Sequence, residues 1–218
     1  MRMIIRLTIL LFFLNSLNVL AAEQFSLEAH KSPETEIQRI FKMFIQSLGK
    51  DTNDYKIFIS DSKQLNAHAG LNKQVTLTSR LVEEIHSESA MAFVIAHELG
   101  HVEKKHVVKG ITRSILGSGL NIAVSVLTKS SALGDLSQGV EGLQRKAYSR
   151  SHEKDADVFA MNLVNRFYCN VPGKLEFFEK IVNKKNGLWN ISYFSTHPMT
   201  ETRISYLKAM IYRSGCVV

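Results

Sequence analysis

Cysteine is scarce in this chain, which has only two among its 218 residues. Neither cysteine has a second metal-ligating residue at close spacing, and this argues against a structural zinc site closed by cysteines. The sequence also lacks an arginine-rich run and a basic stripe interleaved with aromatic residues, so its net charge of +7 does not indicate binding to nucleic acid. It contains no internal repeat and no long linker. We therefore expect a single domain with a sizeable core over residues 22–218.

The most apolar stretch lies near the N-terminus and is short for a membrane span. Residues 7–20 are interrupted by Asn15, Ser16 and Asn18, whereas a transmembrane helix needs about 20 consecutive apolar residues. Two arginines precede the stretch, and small residues follow it where signal peptidase cleaves. We expect residues 1–21 to be a cleavable signal peptide and the protein to lie in the periplasm. An uncleaved anchor is the alternative, and the mild basicity of the chain favours association with an anionic membrane surface.

The expected export bears on the two cysteines, Cys169 and Cys216. An oxidising compartment favours one disulfide between them, which would tie the last residues of the sequence to the end of a helix. Two separate thiols are the alternative, because nothing in the sequence shows that the two side chains meet.

The most informative motif is His97-Glu98-Leu99-Gly100-His101, an H-E-x-x-H pattern within a run of apolar residues at helical spacing. Side chains four residues apart lie on one face of a helix, so the two imidazoles can hold one metal ion. Glu98 lies beside that face, where it can take a proton from a metal-bound water and later return it. The motif therefore indicates a zinc hydrolase, and an ordinary helix face is the alternative.

A second helical segment offers a third ligand. It begins near Ser149, and it presents Glu153 and Asp157 on one face because they are four residues apart. A catalytic zinc site needs three protein ligands and one open position, and Glu153 can complete such a site. Asp157 can accept a hydrogen bond from the outer nitrogen of a ligand histidine. The neighbouring His152 points about 100° away from Glu153, and we assign it no role.

With its motifs in this order, the sequence resembles the HtpX and CaaX prenyl protease family of zinc metallopeptidases, the gluzincins. The resemblance covers residues 35–210, and it is to the exported stand-alone bacterial members without a repeat domain. The motifs that carry it are His97-Glu98-x-x-His101, Ser149-Arg150-x-x-Glu153-x-x-Ala156-Asp157, Ser195-Thr196-His197-Pro198, Arg203-Ile204 and Asn66-Ala67-x-Ala69.

The resemblance implies a zincin-like fold and one Zn²⁺ per chain. In this family the segment matching Asn66 and Ala67 is an edge strand along which an extended substrate lies. The residues matching His197 and Arg203 line the catalytic cleft, and one of them would help to hold the developing oxyanion. The alternative is that these two residues simply pair with helix ends or carboxylates. The third residue of the Asn-Ala-x-Ala segment is His68, a titratable group to which we assign no role.

The resemblance also implies a function in protein quality control. The expected substrates are unfolded, misfolded or stalled envelope proteins, which an edge strand would recognise by backbone pairing more than by sequence. The envelope assembly machinery is a candidate partner, and any adaptor would be a separate protein. The alternative is a latent enzyme or a chaperone-like module that holds client proteins without cleaving them. The presence of Glu98 argues against a module that does no chemistry.

Periodicity predicts an α+β fold that is mainly α-helical, with a small β-sheet. The expected helices are 33–48, one around the H-E-x-x-H motif, one from Ser149, 175–183 and 200–212, and the expected strands are 55–60 and 74–78. The glycine-rich region 107–148 has two interpretations that remain open. It is either a buried helix pair in close contact, or a mobile flap or contact surface whose glycines lower helix stability.

Overall fold

The computed structural model describes residues 32–117, 148–183, 196–198 and 200–218. Residues Ile37–Val218 belong to one compact unit, and only 32–36 are described of the unit before it. The expected signal peptide, residues 1–21, and most of the glycine-rich region 107–148 lie outside the described residues. Among the helices that are described, none is both long enough and apolar enough to cross a membrane.

The described residues confirm the predicted α+β fold that is mainly helical. The helices are α1 (Pro33–Ser47), α2 (Ser79–Glu84), α3 (Glu88–Glu103), α4 (His106–Gly117), α5 (Arg150–Tyr168), α6 (Glu176–Asn183) and α7 (Glu201–Arg213). The strands are β1 (Lys56–Ser60), β2 (Ala67–Ala69) and β3 (Gln74–Thr78), and a 3₁₀ turn (Thr52–Asp54) precedes β1. Each helix and strand predicted from periodicity is present, with ends that differ by one or two residues.

The three strands form one sheet in the order β1–β3–β2. The central strand β3 pairs in parallel with β1 and antiparallel with β2, where Ala67 lies opposite Leu77 and Ala69 opposite Val75. The expected edge strand is therefore present as β2. Its two alanines are buried, whereas His68 points to the other face of the sheet and is half-buried.

The most extensive packing between two helices joins α3 and α5. Helix α3 is buried on all sides from Ser89 to His101, as expected for a helix at the centre of a core. Gly100 lies at its contact with α5, and a Cβ atom there would lie only 3.1 Å from Ala156 Cα. Glycine thus allows the two backbones to approach closely, which brings the carboxylates of α5 to the histidines of α3.

Candidate metal centre

Local capping interactions place the polar side chains that the motifs predict. Ser149 caps α5 by accepting a hydrogen bond from His152 N at 3.2 Å, and this puts Glu153 in the first turn of the helix. Thr200 caps α7 in the same way, with Arg203 N as the donor at 3.2 Å. The H-E-x-x-H motif lies in the last turns of α3. All three helices thus present their predicted site residues near one another.

Four buried side chains bring one ligand atom each to a common centre, and they are His97, His101, Glu153 and His197. The Nε2 atoms of His97 and His101 are 3.1 Å apart, and His197 Nδ1 is 3.4 Å from His97 Nε2. Glu153 Oε1 is 3.3 Å from His101 Nε2 and 3.0 Å from His197 Nδ1. Four ligand atoms arranged tetrahedrally at about 2.0–2.1 Å from a zinc ion lie about 3.3 Å from one another. The donor set and its spacing therefore fit one zinc ion.

His197 belongs to this cluster, although the family resemblance predicts it in the cleft and not among the ligands. Its Nδ1 atom faces the other ligand atoms, and its Nε2 atom lies 3.5 Å from Glu98 Oε1. Catalytic zinc sites keep one position open, whereas four protein ligands close a tetrahedral site. The described arrangement offers four protein ligands, which together would close a tetrahedral site.

Asp157 and Arg203 hold the inner groups from outside. Asp157 Oδ1 lies 3.0 Å from His97 Nδ1, where it can accept the ring proton and leave Nε2 available for a metal. Arg203 donates to both carboxylate oxygens of Asp157, from Nε at 2.8 Å and from Nη2 at 2.7 Å. Its Nη1 atom donates to Glu153 Oε2 at 2.6 Å. The guanidinium group therefore orients both carboxylates of α5.

The charges within the cluster shift the pKa values of its members. Burial opposes ionisation of Glu153, but His197, His101 and His97 hold its pKa well below the usual range. Burial also opposes a charge on His97, but Asp157 and Glu153 outweigh this effect and raise its pKa to about 10. Burial and the neighbouring histidines lower the pKa of His101 well below its usual value. The carboxylates therefore favour a positive charge on His97, whereas burial and the neighbouring histidines oppose one on His101.

Glu98 stands beside the cluster, and its one ion-pair contact among the described residues is to His197, whose Nε2 atom lies 3.5 Å from Oε1. The side chain is fully buried, and neither carboxylate oxygen accepts a hydrogen bond from any residue in the described ranges. A buried polar group that lacks a hydrogen bond costs about 1–3 kcal/mol, and more when it is charged. Such exceptions in folded proteins call for an explanation, and a catalytic role or a bound water or ion is among the usual ones.

Two residues for which the sequence predicts no role contact His101. His106 Nδ1 lies 3.0 Å from His101 Nδ1, and the ring of Tyr148 stacks on the ring of His101 with 3.8 Å between centroids. Burial lowers the pKa of His106 to about 4 and, together with Glu98, raises the pKa of Tyr148. Neither residue stands at helical spacing from the motif, so the only available signal was a further histidine five positions after His101.

Asn66 and Ala67 lie at the edge strand of the sheet. Ala67 begins β2, which packs against α3, and Asn66 O accepts a hydrogen bond from Thr78 N at 3.0 Å. The expected contribution of Asn66 and Ala67 to substrate binding stays a prediction.

The predicted disulfide between Cys169 and Cys216 is present, with 4.6 Å between the Cα atoms. It joins the residue that ends α5 to the segment that follows α7.

Comparison with known proteins identifies the family. Residues 31–211 match the family described as Peptidase family M48. Metalloprotease LoiP of Escherichia coli is 26% identical over 78% of this chain and 68% of its own length. Metalloprotease YcaL of the same organism is also 26% identical, over 76% of this chain and 66% of its own length. The beta-barrel assembly-enhancing protease of Yersinia pestis is 23% identical over 69% of this chain but only 33% of its own length. The chain therefore belongs to peptidase family M48 and is a metalloendopeptidase by class.

Proposed function

We propose that this protein is a zinc-dependent endopeptidase of the bacterial cell envelope that degrades misfolded or stalled envelope proteins. The observation that carries the catalytic part is a buried set of four metal-ligand atoms beside the carboxylate of Glu98, which accepts no hydrogen bond from a described residue. A purely structural zinc site has no use for such a carboxylate. The proposal includes one zinc ion per chain.

His97, His101 and Glu153 would hold the ion, and Glu98 would act as the general base. A zinc ion bound by these residues would supply Lewis-acid chemistry toward the scissile carbonyl and the attacking water. Glu98 takes the proton of that water on its carboxylate and delivers it to the leaving amine. Because no described residue donates to the carboxylate of Glu98, its oxygens are available for both transfers.

The remaining groups would act by orientation and by charge. Asp157 fixes the ring of His97, and Arg203 fixes both Asp157 and Glu153. Since the guanidinium group is already engaged by two carboxylates, His197 is the better placed of the two cleft candidates to stabilise the oxyanion. It would do so after it leaves the ligand cluster, by donating a hydrogen bond from its ring.

The edge strand β2 supports a preference for unfolded substrates. An extended peptide can pair with the backbone of an edge strand, and such pairing requires an unfolded segment more than a particular sequence. The relative from Yersinia pestis is named for enhancing beta-barrel assembly, which supports envelope proteins as substrates and the assembly machinery or membrane surface as a partner. The signal peptide expected at residues 1–21 supports a periplasmic location.

The experiment compares the purified protein with its Glu98→Gln variant. We expect equal zinc content in both proteins and cleavage of casein by the parent, with a rate loss of about 10²–10⁴-fold in the variant because the proton acceptor is absent. The matched control is Glu83→Gln, an exposed residue of α2 that should leave cleavage unchanged. Absence of zinc from the parent would refute the site, and equal cleavage by both proteins would refute the role of Glu98.

The closed ligand set supports a second candidate, a latent enzyme that cleaves only after His197 withdraws. The observation is that His197 Nδ1 lies 3.0–3.4 Å from the neighbouring ligand atoms of Glu153 and His97. The His197→Ala variant separates the two candidates. A rise in casein cleavage means that His197 restrains the enzyme, whereas a fall with unchanged zinc content means that His197 assists the reaction.

A further inference from the structure

The ring of His101 is held from its outer side by a second histidine. His101 Nε2 faces the ligand cluster, and its other ring nitrogen, Nδ1, lies 3.0 Å from His106 Nδ1. Both rings are fully buried, and their planes meet at a steep angle of 73°, which is an edge-on arrangement suited to a hydrogen bond between ring nitrogens.

The backbone reaches this contact through a left-handed residue. Had α3 continued, five residues of helix would turn the chain by about 500° and leave the side chain of residue 106 about 140° away from His101. Instead α3 ends at Glu103, Lys105 adopts a φ of +55°, and α4 begins at His106. A left-handed conformation is unfavourable for a residue with a Cβ atom, so the surrounding structure must hold it. Its effect is to turn the chain so that His106 meets the motif histidine.

The arrangement determines the direction of the hydrogen bond in a metal-bound centre. A ligand nitrogen carries no proton, so His101 must be unprotonated at Nε2 and carry its proton at Nδ1. His106 Nδ1 is then the acceptor, and the proton of His106 lies on Nε2. That atom is 3.9 Å from Asp155 Oδ2, and the ring of His106 stacks on His152 with 4.2 Å between centroids.

We propose that His106 is a positioning residue for the zinc centre, which fixes the tautomer and ring orientation of His101 through an Nδ1–Nδ1 hydrogen bond. Asp157 Oδ1 lies 3.0 Å from the outer nitrogen of His97, and His106 takes the corresponding position beside the outer nitrogen of His101. This inference rests on the proposed zinc site and extends it by one residue. The acceptor on His106 is a neutral ring, which adds no charge to the centre.

The test compares zinc affinities, measured by competition with a chromogenic chelator. His106→Leu removes the acceptor and leaves the Nδ1 proton of His101 without a partner, so we expect zinc affinity to fall about 10–100-fold. His106→Asn places a side-chain oxygen near the position of Nδ1, and it should restore affinity to within about threefold of the parent. His106→Gln carries the same amide one carbon further out, where it cannot replace Nδ1, and it should behave like His106→Leu.

A control and a spectrum separate positioning from packing. His152→Leu removes the stacking partner of His106 without touching His101, and it should leave zinc affinity unchanged. Substitution of cobalt for zinc should give altered visible absorption bands in His106→Leu and parent-like bands in His106→Asn, since the bands report the geometry of the ligands. If His106→Leu does not fold, the pair of Asn and Gln variants makes the same comparison.

Three results have distinct meanings. Parent-like zinc affinity in both the Leu and Gln variants would overturn the inference while leaving the zinc site intact. Equal losses in the Asn, Gln and Leu variants would overturn it as well, because only the volume of the ring would then matter. Failure of the parent itself to bind zinc would refute the proposed function and not this inference alone.

Discussion

Two buried polar clusters in this protein are built in opposite ways. The metal centre gathers three histidines and Glu153 between α3, α5 and residue 197, with Glu98 beside them. The tail cluster comprises Lys174, Val171, Val217 and the disulfide-bonded Cys169 and Cys216, and it joins the end of α5 to the segment after α7. Both clusters bury ionisable groups. In the tail cluster the buried ammonium group has a hydrogen-bond acceptor for each of its protons, whereas the carboxylate of Glu98 at the metal centre accepts no hydrogen bond from a described residue.

In the tail cluster each proton of the Lys174 ammonium group has an acceptor. Nζ donates to the backbone oxygens of Val217 at 2.6 Å, Val171 at 2.8 Å and Cys169 at 3.3 Å. Burial lowers the pKa of Lys174, yet the three carbonyl groups replace the water that its charge has lost. Val217 N returns a hydrogen bond to Cys169 O at 2.8 Å. Every donor of Lys174 therefore has an acceptor within the protein, as expected for a cluster that stabilises the fold.

The metal centre, in contrast, holds groups that repel one another or lack partners. Nitrogen atoms of His97, His101 and His197 converge at 3.1–3.4 Å, separations that also suit a shared ion. Glu98 accepts no hydrogen bond from a described residue, and only the ion-pair contact with His197 at 3.5 Å faces its carboxylate. The difference teaches two things about buried polar clusters. A cluster whose polar groups all find hydrogen-bond partners within the protein stabilises the fold. A cluster whose polar groups need a bound ion or ligand as a partner serves function.

The largest loss of stability should follow from removal of the disulfide in the tail cluster. The disulfide spans 47 positions in sequence, and loop-closure entropy predicts that its loss costs about 4 kcal/mol. Urea denaturation of the variant with both Cys169→Ser and Cys216→Ser measures this cost, and the reduced parent is the control. Zinc affinity should not change. A large loss of zinc affinity would show that the two clusters are coupled, and it would contradict the purely structural role of the tail cluster.

A smaller loss of stability should follow from Lys174→Met, which keeps the length of the side chain and removes its three hydrogen-bond donors. The three carbonyl groups would stay buried without a partner, and we expect a loss of about 2–3 kcal/mol in the free energy of unfolding. The matched control is Lys63→Met, an exposed lysine whose replacement should change stability by less than about 0.5 kcal/mol. Casein cleavage per folded molecule should be the same in all three proteins. Equal stability of the two variants would contradict the structural role of Lys174.

The sequence predicts the parts of this contrast that depend on local spacing. His97 and His101 lie on one helix face because they are four residues apart, and Glu153 and Asp157 do for the same reason. The helices and strands follow their apolar periodicity. The disulfide was predicted from redox chemistry alone, since two cysteines in an oxidising compartment have few other fates.

Spacing carries no information about contacts that depend on how distant segments fold together. His197 joins the ligand cluster from 100 positions beyond His97, so only the tertiary structure brings them together. His106 reaches His101 because Lys105 is left-handed, and lysine gives no sign of that conformation in a sequence. Lys174 reads as an ordinary surface lysine after Pro172 and Gly173, and its burial follows from where residue 217 returns.

The sharpest test of the comparison is a substitution at the metal centre that should raise the stability of the protein, whereas the substitutions in the tail cluster should lower it. Glu98→Gln replaces a buried carboxylate without hydrogen bonds by a neutral amide of the same size, and burying a neutral group costs less than burying a charge. We therefore expect the metal-free variant to be about 1–2 kcal/mol more stable than the metal-free parent, as is common where active sites hold strained groups. Urea denaturation in the presence of a chelator gives the value, and Glu83→Gln, whose exposed carboxylate lies 3.6 Å from Arg80, should change stability by less than about 0.5 kcal/mol. A destabilised Glu98→Gln variant would mean that Glu98 is satisfied in the folded protein, and the contrast between the two clusters would then not hold. A stabilised variant that no longer cleaves casein would show that the same carboxylate lowers stability and supplies the chemistry.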